Sequence, residues 1–265
     1  MLENYKKHVA ERAEQNIPPL PLDADQTSEL IELLKKDHQE SDFLLNLLKE
    51  RVPAGVDQAA YVKAAFLADI TTGKASSPYI TKIDAVKILG TMLGGYNIQP
   101  LIECLKDNEL AEAAAHVLSR TLLIFDAFNE IFELSKTNEH AKKVVEEWAN
   151  ATWFTEKTDI EEQIKLTVYK VTGEINTDDL SPAPDAWSRP DIPLHALAMF
   201  KMPRTGLDDP LGTIEKLKEK GNPLVFVGDV VGTGSSRKSA TNSVLWHMGD
   251  EIPCIPNKKE GGYCF

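Results

Sequence analysis

The stretch Gly232-Thr-Gly-Ser-Ser-Arg-Lys-Ser239 holds the densest set of groups able to do chemistry in this chain. Its glycines let a backbone approach a ligand closely. If a helix starts here, its first N–H groups and positive dipole end favour an anion. Ser235 and Ser236 add hydroxyls, and Arg237 adds a planar fork matched to a carboxylate or phosphate. Three familiar motifs fail. A P-loop needs glycine directly before its Lys-Ser pair, and position 237 is Arg. The dinucleotide fingerprint needs its third glycine at that same position. Neither serine has glycine two residues away on both sides, as a hydrolase elbow requires. The plain alternative is a serine N-cap on an ordinary helix.

A second stretch, Gly173-Glu-Ile-Asn-Thr-Asp-Asp-Leu-Ser-Pro-Ala-Pro-Asp-Ala-Trp-Ser-Arg-Pro190, has two readings. One is an Asx- and Ser-rich turn after a strand. The other is a functional loop. Asp178 and Asp179 stand beside hydroxyl residues, prolines 182, 184 and 190 stiffen the chain, and Trp187 can pack the stem of Arg189.

The elements that must position these loops lie around them. Ile164, Leu166 and Val168 alternate with polar neighbours and predict a half-buried strand facing inward through those three residues. Residues 211–220 predict a short helix, and Leu224–Val231 a buried strand. Residues 235–248 predict a helix with Ala240, Val244, Leu245 and Met248 on one face. That order makes residues 161–265 an α/β domain. Its sheet reads as unfinished, because no further core-forming segment follows Gly261-Gly262.

Residues 1–160 read as helices throughout. Leu2–Gln15 comes first, and prolines 18, 19 and 21 end it. Thr27 or Ser28 is expected to cap the next helix, and Ser41 or Asp42 the one after. Asp57–Ile70 presents an apolar face including Tyr61, Ala65, Phe66 and Ile70. Thr81 and Pro100 open two more, and Leu110–Phe125 and Ile131–Trp148 complete the set. Short helices with Pro/Gly punctuation suggest antiparallel pairs stacked as an α-solenoid, with an irregular bundle as the other reading.

Composition narrows the function. The chain has 265 residues, 42% hydrophobic and 26% charged, which excludes disordered and collagen-like classes. No stretch approaches the ~20 apolar residues that cross a bilayer, and no secretory leader is visible. The net charge of −12 disfavours general nucleic-acid binding and anionic membrane surfaces, and most of the acidic excess falls in residues 1–160. Three cysteines fit a reducing cytoplasm. Cys104, Cys254 and Cys264 lack cluster spacing and read as inert thiols. His8, His38, His116, His140, His195 and His247 show no ligand spacing.

The segment from Asn176-Thr-Asp-Asp-Leu-Ser through His195 and the segment Gly228-Asp-Val-Val-Gly-Thr-Gly-Ser-Ser-Arg-Lys-Ser-Ala-Thr-Asn-Ser243 together resemble the bacterial aconitase B family. The amino-terminal Met1-Leu-Glu-Asn-Tyr-Lys-Lys-His, Gly90-Thr-Met-Leu-Gly-Gly-Tyr-Asn-Ile and Pro256-Asn-Lys-Lys match the same pattern, so the resemblance covers the whole chain. It implies an α plus α/β fold. Residues 1–160 would form a HEAT-like α-solenoid, and residues 161–265 the swivel domain, incomplete at its C-terminus.

The resemblance also implies a tricarboxylic acid cycle hydro-lyase. Such an enzyme interconverts citrate and isocitrate through cis-aconitate and also hydrates 2-methyl-cis-aconitate to 2-methylisocitrate. It uses a [4Fe–4S] cluster that domains beyond this chain would carry, with no metal ligand here. Ser235 resembles the family's catalytic base. Ser236, Arg237 and Arg189 resemble substrate-carboxylate ligands alongside Ser235, and Asp178 an acidic residue of the active-site loop. The family's members are much longer, so the isolated chain is expected to be inactive. Cytoplasmic location, a homodimer through the helical domain and messenger RNA binding in the cluster-free form are further implications. The acidic surface of residues 1–160 argues for a protein interface over RNA.

Overall fold

In the computed structural model, residues 1–121, 124–157, 162–261 and 263–264 are described. They form two units, one of Met1–Lys6, Leu20–Ile160 and Pro253–Pro256, the other of Lys7–Pro19, Glu161–Ile252 and Asn257–Phe265. The fold is α plus α/β, with a small parallel sheet.

The helices are α1 (Leu2–Ala13), α2 (Ala24–Leu34), α3 (Ser41–Asn46), α4 (Gln58–Thr72), α5 (Lys82–Leu89), α6 (Ile98–Cys104) and α7 (Ala111–Leu118). After them come α8 (Phe128–Leu134), α9 (Glu139–Ala149) and the short α10 (Thr152–Thr155). Helix α4 packs on α2 and α5, and α9 packs on α7 and α8. Their ends follow capping chemistry. Thr81 opens α5 with a reciprocal capping box through Asp84, as expected. Helix α2 starts before Thr27 and Ser28, because Asp23 forms the box with Gln26. Ser41 and Asp42 lie inside α3, and Glu40, at the N-cap before it, makes no side-chain cap.

The long expected segments are shorter. The run 110–125 is helical only through Leu118 before a 3₁₀ turn at Phe125–Ala127, and two of its residues lie outside the description. Asn138, accepting from the Ala141 N–H, interrupts Ile131–Trp148 and starts α9. Pro100 falls in the first turn of α6, which begins at Ile98. On α4 the buried face carries Ala60, Lys63, Ala64, Phe66 and Leu67, while Tyr61 and Ala65 face water. Ile70 is buried with Phe66 as expected, so half of the expected face holds, and the buried side also takes in Lys63.

In the second unit, β1 (Thr167–Asn176) leads into α11 (Thr177–Leu180) and α12 (Ile192–Ala196). Next come α13 (Pro210–Lys218), β2 (Leu224–Thr233), α14 (Lys238–Met248), β3 (Asp250–Glu251), β4 (Lys259–Glu260) and β5 (Tyr263–Cys264). The three-stranded sheet runs β1-β2-β5, with β1 and β5 both parallel to β2. The segment after Gly262 therefore adds a third strand, which the sequence reading missed. Strand β1 is one residue out of the expected phase. Thr167, Tyr169 and Val171 are buried, while Val168 is 54% exposed and Ile164 precedes the strand in water. A slip of one exchanges the two faces of a strand. Here the Tyr169 and Phe226 rings, 5.9 Å apart, decide which face is inside. Ile175, Leu180, Phe200 and Ile214 complete this core.

Candidate functional site

Both loops singled out in the sequence leave the carboxyl ends of neighbouring parallel strands. Asn176, last in β1, is the register partner of Thr233, last in β2. Loops leaving one edge of a parallel sheet converge, and ligands bind at that edge. Two local devices shape them. The Asn176 side chain accepts from the N–H groups of Asp178 (2.7 Å) and Asp179 (3.1 Å), while Asp179 Oδ2 accepts from the Asn176 N–H. This box folds residues 177–180 into helix α11 and fixes Asp178 in its first turn. On the other side Gly234, at φ +89°, turns the chain, and Thr177 Oγ1 donates to the Ser235 carbonyl at 2.8 Å.

Helix α14 starts at Lys238, three residues later than expected. Neither serine caps it: Arg237 occupies the cap position with no side-chain cap bond. Ser235 and Ser236 are exposed. The Arg237 guanidinium pairs with Asp178 and donates to the Ser181 carbonyl at 3.1 Å. The hydrogen bond from Arg237 to the Asp178 carboxylate, together with the Ala183 N–H, holds that carboxyl below the ordinary carboxylate range. A cavity of about 380 Å³ opens beside them, lined by Thr177, Leu180, Gly232, Ser236, Arg237 and Met248 among others. Its lining combines hydroxyl and guanidinium groups with apolar side chains.

Arg189 is held separately. Its Nε donates to Asp185 Oδ1 at 3.2 Å and its Nη1 to the Leu194 carbonyl at 3.1 Å. Lys201 shares Asp185, and the two cations hold that carboxyl low, Lys201 contributing most. Trp187 is 95% exposed and does not pack the Arg189 stem. Thus Asp178, Ser236 and Arg237 come together, Ser235 sits on the turn beside them, and Arg189 has its own partners.

Sequence reasoning missed a part-buried network around Ser181, whose carbonyl accepts from Arg237. Ser181 Oγ donates to Ser239 Oγ at 2.6 Å and lies 2.9 Å from His195 Nε2. Nothing in the spacing of Ser181 and His195 announces this contact. It also missed Arg204, which bonds the Thr172 and Glu174 carbonyls flanking Gly173 and pairs with Asp179. Among the described residues no group of three or more His, Cys, Asp or Glu could hold a metal ion. Cys104 is buried in α6, and the Cys254 thiol donates to Glu50 at 3.5 Å. The Cys264 side chain lies outside the description.

The chain thus combines a helical unit with an α/β unit that carries cationic and hydroxyl groups at the carboxyl edge of its parallel sheet, chemistry suited to an anion. Comparison with known sequences sharpens this. Residues 4–154 match the family model for the aconitate B N-terminal domain, and residues 166–265 that for the aconitate hydratase 2 N-terminus. The chain is 60% identical to aconitate hydratase B of Escherichia coli (strain K12) over 273 residues, covering 100% of this chain and 32% of that protein. It is 59% identical to aconitate hydratase B of Pseudomonas aeruginosa, with the same coverage. It is 51% identical to aconitate hydratase B of Helicobacter pylori (strain J99), covering 98% of this chain and 30% of that protein. The chain belongs to the aconitase B family, and it spans about a third of the length of these relatives. No helix among the described residues is long and apolar enough to cross a membrane.

Proposed function

We propose that this chain supplies one wall of the active site of a hydro-lyase that interconverts citrate and isocitrate through cis-aconitate. Residues 161–265 act as the swivel domain, and residues 1–160 as a HEAT-like helical domain. The observation that carries this reading is the meeting of Arg237 and Ser236 with Asp178 at the carboxyl edge of the sheet, over a cavity of about 380 Å³.

Ser235 is the base, taking a proton from the carbon next to a substrate carboxylate. A free hydroxyl holds its proton tightly, so the developing alkoxide needs positive surroundings. The start of α14, uncapped by any side chain, and Arg237 two residues on supply them. Arg237, Ser236 and Arg189 hold substrate carboxylates, because a tricarboxylate needs several donors arranged as forks. Asp178 keeps the Arg237 guanidinium aimed across the loop.

The family's [4Fe–4S] cluster, which supplies a Lewis-acid iron, does not fit the cysteines described here. Cys104 is enclosed in a helical core, and Cys254 is bonded to Glu50. The wall in this chain is one part of the pocket, so the isolated chain is not expected to turn over citrate.

The test is Ser235→Ala in the full-length polypeptide that carries this chain. The expected loss in kcat is about 10²–10⁴-fold, the worth of a positioned base, with KM little changed. Retention of kcat would overturn the assignment. Arg237→Lys should instead raise KM, since a point charge replaces a fork.

A further inference from the structure

We propose that Arg12, in the amino-terminal helix, is a positioning residue for Arg189. The proposal extends the reading of Arg189 as a carboxylate ligand and rests on it for its functional consequence. Residues 7–19 group with the α/β unit, so every contact below lies inside one unit.

Arg12 is 7% exposed. Its guanidinium grips both oxygens of Asp191, Nη2 to Oδ1 at 2.7 Å and Nη1 to Oδ2 at 3.1 Å. Its Nε donates to the Pro18 carbonyl at 2.9 Å. This is a two-point fork in a nearly dry setting, where loss of one partner strands the other charge. Asp191 has a second task. Its Oδ1 also accepts from the Leu194 N–H at 3.2 Å and caps α12. A helix of five residues has little stability of its own, so its cap and packing set its orientation. The Leu194 carbonyl on that helix is the acceptor that holds Arg189 Nη1. A continuous path of bonds therefore runs Arg12, Asp191, Leu194, Arg189.

Arg189 makes only one other described side-chain contact, with Asp185, which Lys201 also claims. With Asp185 as sole anchor the Arg189 fork can rotate. With Leu194 as a second anchor it has one orientation. Arg12 thus reaches Arg189 from 177 residues upstream without touching substrate.

The experiment uses the ¹⁵N-labelled chain and follows the Arg189 Nε–H signal, assigned by its loss in Arg189→Lys. In Arg12→Met that signal should shift and exchange with water about tenfold faster, as expected for a locally opened contact. Arg12→Lys, which keeps the charge and loses the fork, should lie between. In the full-length polypeptide Arg12→Met should raise KM for the tricarboxylate about fivefold and leave kcat within about twofold, the size of coupling through packed networks.

An unmoved Arg189 signal and unchanged KM, with only a lower melting temperature, would reduce Arg12 to a structural staple and overturn the proposal. If Arg12→Met does not fold, Asp191→Asn carries the same test, because it keeps the capping acceptor and removes the charge. If Arg189→Lys leaves KM unchanged, the role of Arg189 in the proposed function fails, while the Arg189 signal still decides whether Arg12 positions it.

Discussion

The two units differ in the balance of their charge pairs. In the helical unit many pairs are short-range and exposed, such as Lys35 with Glu32, Lys106 with Glu103 and Lys136 with Glu133, each one helical turn apart. In the α/β unit several pairs join distant segments: Arg237 with Asp178, 59 residues apart, Arg204 with Asp179, 25 apart, and Arg12 with Asp191, 179 apart. Exposed pairs within one helix add a few tenths of a kcal/mol each and specify nothing beyond that helix. Pairs that exist only once the chain has folded pin loops to one another. The α/β unit has little sheet and long connections, so its loops need such ties. The unit with the looser scaffold is also the one with the candidate chemistry.

Lys63 breaks the pattern and gives the largest expected effect on stability. It is fully buried on α4, with the Lys49 carbonyl as a long acceptor at 3.5 Å. Burial brings its ammonium from 10.5 down to about 8, against the opposing pull of Cys254 and Glu50. The folded chain therefore releases this proton before the unfolded chain does. Between about pH 8 and 10.5 the unfolded state binds more protons, so stability should rise with pH. Below pH 8 the full cost applies, about 3 kcal/mol from a shift of this size. Lys63→Met should raise stability at pH 7 by about 1–3 kcal/mol and remove that rise. Urea unfolding at pH 7, 8.5 and 10 checks both. Equal stability at pH 7 with an unchanged slope would mean that Lys63 finds water or a partner the geometry does not show.

Two glycines sharpen the contrast at the next level of effect. A Cβ on Gly94, in the helical unit, would sit 1.9 Å from the Gly55 carbonyl oxygen, so two stretches of backbone would have to part. Gly94→Ala should cost about 1–3 kcal/mol, as overpacking does. A Cβ on Gly234 meets nothing closer than 3.4 Å, at Thr177 Oγ1, but φ is +89°. Gly234→Ala should cost about 1–2 kcal/mol through backbone strain alone. The first should lower the melting temperature and spare KM in the full-length polypeptide. The second should lower it less and raise KM, because the turn carries Ser235 and Ser236. If Gly234→Ala melts the chain without touching KM, the turn is scaffold rather than site.

Element types were legible in the sequence because period and punctuation are local. Thr81 could be read as a cap because its partner Asp84 is three residues away. Phase was not legible where burial depends on what lies opposite. Tyr169 is inside because the Phe226 ring meets it from β2, and the alternation of Ile164, Leu166 and Val168 pointed the other way. The convergence of residues 176–189 with residues 232–237 had a readable cause, since parallel strands send their next loops to one edge. The partners of each side chain had none. Asp178 with Arg237 and Ser181 with His195 are contacts of folded geometry, and no spacing encodes them.

Asp178 gives the smallest effect on stability and the closest comparison between the units. Arg237 holds its carboxyl low, much as Lys35 does for Glu32 on α2. For both carboxyls the folded state keeps the proton off to lower pH than the unfolded chain. Each contribution is present above the ordinary carboxylate range and is lost as pH falls through the lowered folded value. Both pairs are exposed, so Asp178→Asn and Glu32→Gln should each leave the unfolding midpoint at pH 7 nearly unchanged. They should differ in what they hold. The Arg237 Nε–H signal should stay fixed through the ordinary carboxylate range, shift only at lower pH as Asp178 protonates, and be displaced at every pH in Asp178→Asn. Glu32→Gln should leave that signal untouched and leave KM in the full-length polypeptide unchanged. If Asp178→Asn moves neither the signal nor KM, then the Arg237 fork is oriented by the Ser181 carbonyl alone. The ion pair would then be surface decoration of the kind the helical unit carries.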